Sequence, residues 1–354
     1  MSPRKIIYRM EQAWNVNPAV DHSKKITFSS IGALGSTAVS ALGNGWQSVC
    51  WLVGSVCLSV SLPCWLLGKL WFWQQRRNQQ KLQNKVVLIT GASSGLGEAL
   101  AHAFYQSGCR VVLAARREAE LKRVREELLQ THPTVPTHIP VVLPLDIGEL
   151  NELPERVESI LAIHGQIDIF VSNAGISCRC SAEDCAMDVD IKLMLINYLG
   201  HVAMTKAILP SMVRKRSGHI VAVSSVQGRI AIPHRSAYAA SKHALQAFSD
   251  SLRAEVAPHN INVTVVSPGY INTNLSQNAL TGTGQKYQVT DTTTAQGMPP
   301  HVVANRVVEA VIRGEQEVLV CSVTHRLAII LRTISPNIFF WLMQHRARSA
   351  ANAS

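Results

Sequence analysis

The feature that most constrains this chain is a glycine-rich turn between a short apolar run and an amphipathic segment. The run Val86–Thr90 predicts a buried strand, and Leu96–Gln106 has the apolar periodicity of a helix. Between them, Gly91, Gly95 and Gly97 lack the side chains that would block a tight turn and hold a pyrophosphate away from the helix N-terminus. A strand, such a turn and a helix in this order predict a dinucleotide-binding α/β fold.

The same alternation continues downstream and predicts one doubly wound, Rossmann-type domain with a seven-stranded parallel sheet. Short runs rich in Val, Ile and Leu suit strands that are covered on both faces. The predicted strands are Val86–Thr90, Arg110–Ala114, Val141–Leu145, Ile167–Ser172, His219–Ser224, Asn262–Ser267 and Glu317–Cys321. The predicted helices are Leu96–Gln106, Glu118–Gln130, Leu150–His164, Asp188–Arg214, Ala237–Val256 and His301–Arg313. The polar segment 275–300 is long for a connection and is a candidate lid.

A long stretch without charge precedes this domain. No Asp, Glu, Lys or Arg occurs from Ile26 to Gly68, and 49–67 is almost continuously apolar. About 20 apolar residues are enough for a helix to cross a bilayer, so this stretch predicts one transmembrane helix flanked by tryptophans at the interface. The alternative is a buried helix of a soluble domain. A cleaved signal peptide fits poorly because a long polar lead precedes the run.

These patterns divide the chain into five segments. A tail at 1–45, the predicted membrane anchor at 46–73 and a basic linker at 74–83 precede the α/β domain at 84–322 and an extension at 323–354. The extension contains the apolar stretch His325–Gln344, which has arginines around it and Pro336 inside. It can dock on a membrane, cover the substrate cleft or pack against a second subunit, and the sequence does not choose among these.

The net charge of +11 does not indicate nucleic-acid binding, because the basic residues form no stripe interleaved with aromatic residues. Basic residues instead follow the predicted span, which favours an anionic membrane surface and a cytosolic catalytic domain. A lumenal domain stays open as the alternative, since Asn274-Leu275-Ser276 is a formal glycosylation acceptor. The eight cysteines show no metal-ligand spacing. Cys178, Cys180 and Cys185 are grouped, and reduced thiols are expected there.

Residues at the strand ends indicate which dinucleotide binds. Arg116 and Arg117 follow the second strand, where NAD enzymes usually carry a carboxylate for the ribose hydroxyls. Because arginine pairs bidentately with a 2′-phosphate, NADP(H) is favoured, chiefly through Arg116. Solvated arginines at a helix start are the alternative. Asp146 ends the third strand, where it can accept a hydrogen bond from adenine, and Asn173-Ala174-Gly175 follows the fourth, against the adenosine.

Four further residues carry the chemistry of a carbonyl or alcohol oxidoreductase. Tyr238 and Lys242 stand four apart on one predicted helix and therefore share a face. A free phenol titrates near 10, so a neighbouring ammonium is expected to lower the pKa of Tyr238 and prepare it for proton transfer. Ser225 ends the fifth strand, where it can hydrogen-bond the substrate oxygen. Asn197 can orient a water beside Lys242 for proton relay.

Together these residues resemble the short-chain dehydrogenase/reductase superfamily over roughly residues 84 to 322. The segments Gly218–Gly228, Arg235–His243 and Asp291–Gly297 resemble a membrane-anchored subgroup of it. The resemblance implies a catalytic tetrad of Asn197, Ser225, Tyr238 and Lys242. It implies that Thr273 holds the nicotinamide carboxamide. The implied cofactor-binding residues are Thr90, Gly91, Ser93, Ser94, Gly95, Leu96, Gly97, Arg116, Arg117, Asp146, Asn173, Ala174, Gly175, Tyr238, Lys242, Pro268, Gly269 and Thr273.

Two positions depart from the superfamily pattern. Ser172 replaces the first asparagine of the usual Asn-Asn-Ala-Gly, which affects the surroundings of the adenosine. Ser94 stands where many NADP-dependent relatives carry a basic residue before the second glycine. The preference for the phosphate therefore depends on Arg116.

We therefore expect a membrane-anchored, NADP(H)-dependent oxidoreductase that interconverts a carbonyl and a secondary alcohol on a lipophilic substrate. By resemblance, steroids, retinoids and acyl or alkyl dihydroxyacetone phosphates are the candidate substrates, and the endoplasmic reticulum membrane is the expected location. The resemblance also implies a homodimer through the helices at Asp188–Arg214 and Ala237–Val256. The alternative is a non-catalytic protein that binds dinucleotide and acts as a membrane-tethered interaction or redox-sensing module.

Overall fold

A computed structural model describes residues 81–132 and 138–351. The predicted tail, the predicted membrane anchor and most of the basic linker lie outside the described residues. Among the described residues, no helix combines the length and the apolar character needed to span a bilayer.

The described chain alternates strands and helices, as the sequence predicts. The strands are β1 Val86–Thr90, β2 Arg110–Ala115, β3 Val141–Pro144, β4 Ile169–Ser172, β5 Gly218–Val223, β6 Ile261–Pro268 and β7 Glu317–Val320. The helices are α1 Gly95–Gln106, α2 Glu118–Thr131, α3 Leu153–His164, α4 Met187–Met194, α5 Gly200–Lys215, α6 Ser236–Val256, α7 Thr292–Ala295, α8 Pro300–Arg313, α9 Val323–Ile334 and α10 Pro336–Ala351. Most predicted boundaries agree to within two residues.

All seven strands pair in parallel in one sheet, in the order β3-β2-β1-β4-β5-β6-β7. The prediction of a doubly wound, seven-stranded parallel sheet is therefore confirmed. The strand order reverses between β1 and β4, and in open α/β sheets the crevice beyond the carboxyl ends at this point is where ligands bind.

Helices cover both faces of the sheet, which explains why the strands are continuously apolar. On one face, α1, α2 and α8 bury residues such as Phe104, Leu121 and Val307 against the sheet. On the other face, α3, α5 and α6 bury residues such as Ile160 and Met204. The strands β1 and β4 are buried along their whole length, as a strand between two helical layers must be.

Two predicted helices differ from the structure, and the apolar stretch near the C-terminus forms two helices. The third was expected from Leu150, but α3 begins at Leu153, because residues 146–152 form turns and Pro154 occupies the first helical turn. The fourth was expected to run unbroken over Asp188–Arg214. Instead a π-helical turn, Leu195–Leu199, separates α4 from α5. The apolar stretch His325–Gln344 divides into α9 and α10 at Pro336, whose ring cannot continue a helix.

The candidate lid at 275–300 is an ordered excursion between β6 and α8. Its backbone joins the loop after β4 through a bridge between Cys178 and Leu280, and Ile271 bridges Met298 at its other end. Its one short helix is α7. These contacts place the segment over the carboxyl edge of the sheet.

Candidate active site

A cavity of about 1040 Å³ opens at the carboxyl ends of the strands, beside the point where the strand order reverses. With one exception, the predicted site residues all line it. They are Thr90, Gly91, Ser93, Ser94, Gly95, Leu96, Gly97, Arg116, Arg117, Asp146, Asn173, Ala174, Gly175, Ser225, Tyr238, Lys242, Pro268, Gly269 and Thr273. Asn197 is the exception, because it is completely buried beneath the cavity floor.

Two glycines of the turn at one end of the cavity have no room for a side chain. Gly91 has φ +69°, and a β-carbon there would stand 2.9 Å from the Ala174 α-carbon. A β-carbon on Gly97 would stand 2.1 Å from the Gly91 carbonyl oxygen. Ser94 precedes α1 without its side chain capping the helix. The first amides of α1 are therefore left for an anion, and the turn suits the pyrophosphate of a dinucleotide.

Thr90 joins the glycine turn to the loop after β4. Its hydroxyl oxygen accepts hydrogen bonds from the backbone N–H groups of Asn173, at 3.0 Å, and Ala174, at 3.2 Å. The Asn173 side-chain amide donates to the Thr90 carbonyl oxygen at 2.9 Å. These bonds fix the two strand ends at the reversal point with respect to each other, so the nucleotide end of the cavity is preorganised.

The two arginines after β2 have different surroundings. Arg117 Nη2 donates to the hydroxyl oxygens of Ser93 and Ser94, at 3.1 Å each, and so lies over the glycine turn. Arg116 is 61% exposed and faces Asp146, with 3.8 Å between Nη1 and Oδ2. Arg117 is therefore the arginine whose guanidinium contacts the glycine turn, whereas Arg116 lies beside Asp146, and the expected role of Arg116 in phosphate binding stays a prediction.

Ser225, Tyr238 and Lys242 meet on the wall of the cavity next to this turn. Ser225 precedes a 3₁₀ turn and accepts from the Gln227 N–H at 3.1 Å, which orients its hydroxyl. Ser225 lies close enough to the Tyr238 phenol to influence its pKa. Lys242 Nζ stands 6.0 Å from the centre of the Tyr238 ring and donates to the Val223 carbonyl at 3.0 Å. The three side chains predicted to react are thus adjacent.

Burial and several neighbouring groups influence the acidity of Tyr238. Burial raises the pKa of the phenol above its usual value. The Ser225 hydroxyl and the positive charges of Arg235 and Arg179 lower that pKa in part. The Lys242 ammonium donates to the Val223 carbonyl, and the expectation that Lys242 lowers the pKa of Tyr238 stays a prediction. Burial also lowers the pKa of Lys242 to about 8.

Asn197 is held by the π-helical turn in a position that a regular helix would not give it. Its Oδ1 accepts from the Ile176 N–H at 2.8 Å, and its Nδ2 donates to the Ile176 carbonyl at 2.9 Å. Both Asn197 Oδ1 and Lys242 Nζ lie against Gly175, where a β-carbon would be 3.2 Å and 3.6 Å away from them. Asn197 therefore fixes the loop that separates it from Lys242. Such π-helical turns are frequent at functional sites.

His201 is a residue of this site that the sequence analysis missed. It is almost fully buried one turn after Asn197, and its Nε2 lies 2.6 Å from the Ala174 carbonyl oxygen. Its Nδ1 contacts the hydroxyl of Ser172. The carbonyl needs a donor, so Nε2 carries the proton and Nδ1 accepts from Ser172. The unusual serine at 172 is thus the partner of this histidine, and burial lowers the pKa of His201 to about 3.

An ion triad on the substrate side of the cavity was also missed. Asp291 Oδ2 accepts from Arg179 Nε at 2.9 Å and Nη2 at 2.5 Å, and from Arg235 Nη2 at 3.1 Å. All three side chains are at most 18% exposed. Arg235 also stacks on Tyr270, 5.7 Å from the ring centre. Asp291 is the only acidic residue between Glu255 and Glu309, which is the signal that could have identified it.

The grouped cysteines lie beside this triad. The sulfur atoms of Cys180 and Cys185 are 2.8 Å apart, and both residues are free cysteines. Burial raises the pKa of both thiols. They pack against Tyr238 in a small apolar cluster, so their place is in the packing behind the phenol.

Comparisons with known proteins agree with this geometry. The family described as short chain dehydrogenase matches residues 85–283. Dehydrogenase/reductase SDR family protein 7-like of Anopheles gambiae is 56% identical over 84% of this chain and 94% of that protein. Dehydrogenase/reductase SDR family member 7B of Bos taurus is 47% identical over 80% of this chain and 86% of that protein.

Solved structures share the fold as well. A short-chain dehydrogenase from Streptomyces avermitilis superposes with TM-score 0.61 at 27% identity, covering 75% of this chain and 98% of that one. A metagenomic short-chain oxidoreductase in complex with NADP superposes with TM-score 0.56 at 25% identity, covering 68% of this chain and 97% of that one. The sequence matches and the shared fold agree, and the chain therefore belongs to the short-chain dehydrogenase/reductase family of oxidoreductases.

Proposed function

We propose that this protein is a membrane-anchored, NADP(H)-dependent oxidoreductase that interconverts a carbonyl and a secondary alcohol on a lipophilic substrate. The observation that carries the proposal is the meeting of Ser225, Tyr238 and Lys242 in one cavity with the glycine turn. Each side chain is at most 7% exposed, so proton transfer there is shielded from bulk water.

In the reductive direction, bound NADPH supplies the hydride to the carbonyl carbon. Tyr238 gives its proton to the carbonyl oxygen, and the Ser225 hydroxyl donates a hydrogen bond to the same oxygen. The phenolate that remains is stabilised by the cationic side chains of Lys242, Arg235 and Arg179. In the oxidative direction, the same phenolate accepts the proton of the alcohol.

Support for NADP(H) over NAD comes from Arg117, which has no carboxylate partner in its contacts and shares the glycine turn with Ser93 and Ser94. A guanidinium with two hydroxyls forms a donor set for a 2′-phosphate. The fold alone does not distinguish the two cofactors. The metagenomic relative is in complex with NADP, whereas a Burkholderia phymatum enzyme of the same fold is in complex with NAD.

Support for a lipophilic substrate and a membrane location comes from the apolar run at 49–67 and the basic residues after it. The basic residues favour a cytosolic domain, and the endoplasmic reticulum membrane is proposed from the family resemblance alone. A glycan at Asn274 in cells would contradict that orientation.

Support for a homodimer comes from the exposed apolar residues of α4, where Met187 is 69% and Ile191 57% exposed.

The test is turnover of NADPH with a panel of lipid ketones by the full chain and its Tyr238→Phe variant. The variant is expected to lose a factor of about 10² to 10⁴ in kcat while it still binds NADPH. Tyr198→Phe is the matched control, because Tyr198 packs edge-on against Phe248 away from the cavity. If both variants turn over ketones like the wild type, the proposal is wrong.

The rival function is a non-catalytic dinucleotide-binding module for interaction or redox sensing. NADPH binding without turnover of any ketone or alcohol, together with an unchanged Tyr238→Phe variant, would favour it.

A further inference from the structure

The outer face of α9 carries an apolar stripe that no described residue covers. Val323, Leu327, Ile330 and Ile334 are 70%, 58%, 51% and 78% exposed. Their spacing of four, three and four residues places them on one side of the helix. Four adjacent exposed aliphatic side chains form a contiguous patch, and such patches mark interaction surfaces.

The next helix extends this patch. On α10, Ile338, Trp341 and Leu342 are 52%, 62% and 39% exposed. The two helices are held together, because Phe339 is buried and the Arg332 guanidinium of α9 lies 4.8 Å from the centre of the Phe340 ring on α10. The exposed face therefore belongs to an ordered helix pair, which we call the C-terminal hairpin (residues 323–348).

The charge around the patch has one sign. Residues 318–354 contain four arginines and no Asp or Glu. Arg326, Arg332, Arg346 and Arg348 are all exposed. A second copy docked through the same patch would bring these arginines against themselves, which is unfavourable in a symmetric interface. An anionic lipid surface complements both the apolar stripe and the arginines.

We propose that the C-terminal hairpin docks on the surface of an anionic lipid bilayer, with its apolar stripe among the headgroups and acyl chains. The opposite side of the hairpin contributes His325, Ala328 and Met343 to the wall of the cavity. Docking therefore brings the substrate cleft next to the lipid surface, where apolar substrates dissolve. The contact is separate from the membrane helix predicted at 46–73, and it does not depend on the hydride-transfer chemistry.

The experiment compares hydrogen exchange of the full chain in two kinds of lipid nanodisc. One contains phosphatidylserine and the other only phosphatidylcholine, so the predicted anchor is embedded in both. We expect the backbone amides of the C-terminal hairpin to exchange about tenfold more slowly in the anionic disc. The double variant Ile330→Glu with Ile334→Glu is expected to lose this protection. Its turnover of a water-soluble ketone should stay at the wild-type rate, because neither residue lines the cavity.

Ile163→Glu is the matched control. Ile163 is 60% exposed on α3, away from the hairpin, and its variant should keep the protection. Replacing Arg326 and Arg348 by glutamate is expected to remove the difference between the two discs. Equal exchange in both discs overturns the proposal. Protection that depends on protein concentration in detergent without lipid also overturns it, because a second copy would then be the occupant.

Discussion

The two ends of the cavity are built in different ways. The nucleotide end consists of neighbouring strand-turn-helix segments, in which Gly91 and Gly97 leave no room for a β-carbon and Thr90 ties the strand ends together. The substrate end consists of segments that are distant in sequence, and the charge of Asp291 joins Arg179 and Arg235, which are 112 and 56 residues away. Sterics therefore fix the first end, and an electrostatic contact fixes the second.

This difference between the two ends of the cavity indicates where amino-acid substitutions are tolerated. A backbone cradle that fits a pyrophosphate admits few substitutions, whereas side chains on loops can be exchanged while the sheet stays intact. The substrate end is therefore the region where the specificity of this chain is expected to lie.

The largest effect is expected at Asp291, which holds the substrate end together. Asp291→Asn leaves two buried guanidinium groups facing each other, which should lower the free energy of unfolding by about 3 kcal/mol. The segment 275–300 should also become accessible to proteases, and the KM for the ketone should rise. Denaturant unfolding, limited proteolysis and steady-state kinetics measure these changes.

The control for Asp291 is Glu309→Gln, which removes a carboxylate from an exposed pair with Arg313 one helical turn away. It should cost less than about 0.5 kcal/mol. If the two variants lose the same free energy of unfolding, the ion triad contributes no more than an exposed ion pair. The proposed electrostatic fixing of the substrate end would then be wrong.

The nucleotide end is tested by two glycines with nearly the same backbone. Gly91 and Gly165 have φ +69° and +70°, but only Gly91 has atoms within 4 Å of its potential β-carbon. Each alanine variant should lose about 1 kcal/mol from the left-handed conformation. Gly91→Ala should lose about 2 kcal/mol more and bind NADPH about tenfold more weakly, because Ala174 must move. Calorimetric titration and denaturant unfolding compare them, and similar NADPH affinities would contradict a sterically fixed cradle.

The arginines after β2 test how far charge, in addition to sterics, contributes at the nucleotide end of the cavity. Arg117→Ala should lower kcat/KM for NADPH by about tenfold or more and leave that for NADH unchanged. Arg116→Ala should have a smaller effect, since that side chain is exposed and faces Asp146. A larger loss for Arg116→Ala would instead support the interpretation from the sequence alone.

A further effect, on the pH dependence of stability, concerns His201, which holds the Ala174 carbonyl next to Gly91. Its folded pKa is about 3, below the unfolded value of 6.5. The unfolded chain therefore binds more protons at acid pH, and stability is lost as the pH falls from about 6.5 towards 3. The contribution is at most about 1.4 kcal/mol per pH unit.

Denaturant unfolding at pH 7 and pH 5 tests this prediction. His201→Asn should lose less stability between the two pH values than the wild type does. Part of the slope should remain, because burial also lowers the pKa of His219, to about 4. His301→Asn, at an exposed position on α8, should behave like the wild type. If the His201 variant loses as much stability between pH 7 and pH 5 as the wild type does, the His201 imidazole takes up its proton in the folded protein as readily as in the unfolded chain.

The sequence predicts the sheet and the nucleotide end well because both depend on local patterns. Seven apolar runs, their helices and the glycine turn are each visible within a few residues, and a parallel sheet with short crossovers leaves little freedom of arrangement. The meeting of Ser225 with Tyr238 also follows, since one ends a strand and the other starts the next long helix.

The remaining features depend on contacts that local patterns do not contain. The triad of Arg179, Asp291 and Arg235 joins three loops that are distant in the sequence, and no periodic pattern of residues predicts their contact. His201 has the sequence of an ordinary helix residue, and only Ser172 hints at a partner. The contact of Arg117, rather than Arg116, with the glycine turn depends on the direction of each side chain at the start of α2, and the sequence of two adjacent arginines does not contain that information.

The π-helical turn at Leu195–Leu199 has a consequence for protein engineering. It adds one residue to the helical register, and each residue of a helix rotates the following side chains by about 100°. Deleting a single residue there would give a straighter helix with better backbone hydrogen bonds. It would also rotate Asn197 away from Ile176 and remove their hydrogen bonds. A design procedure that selects only for regular helices would therefore raise stability while it disrupts the active site.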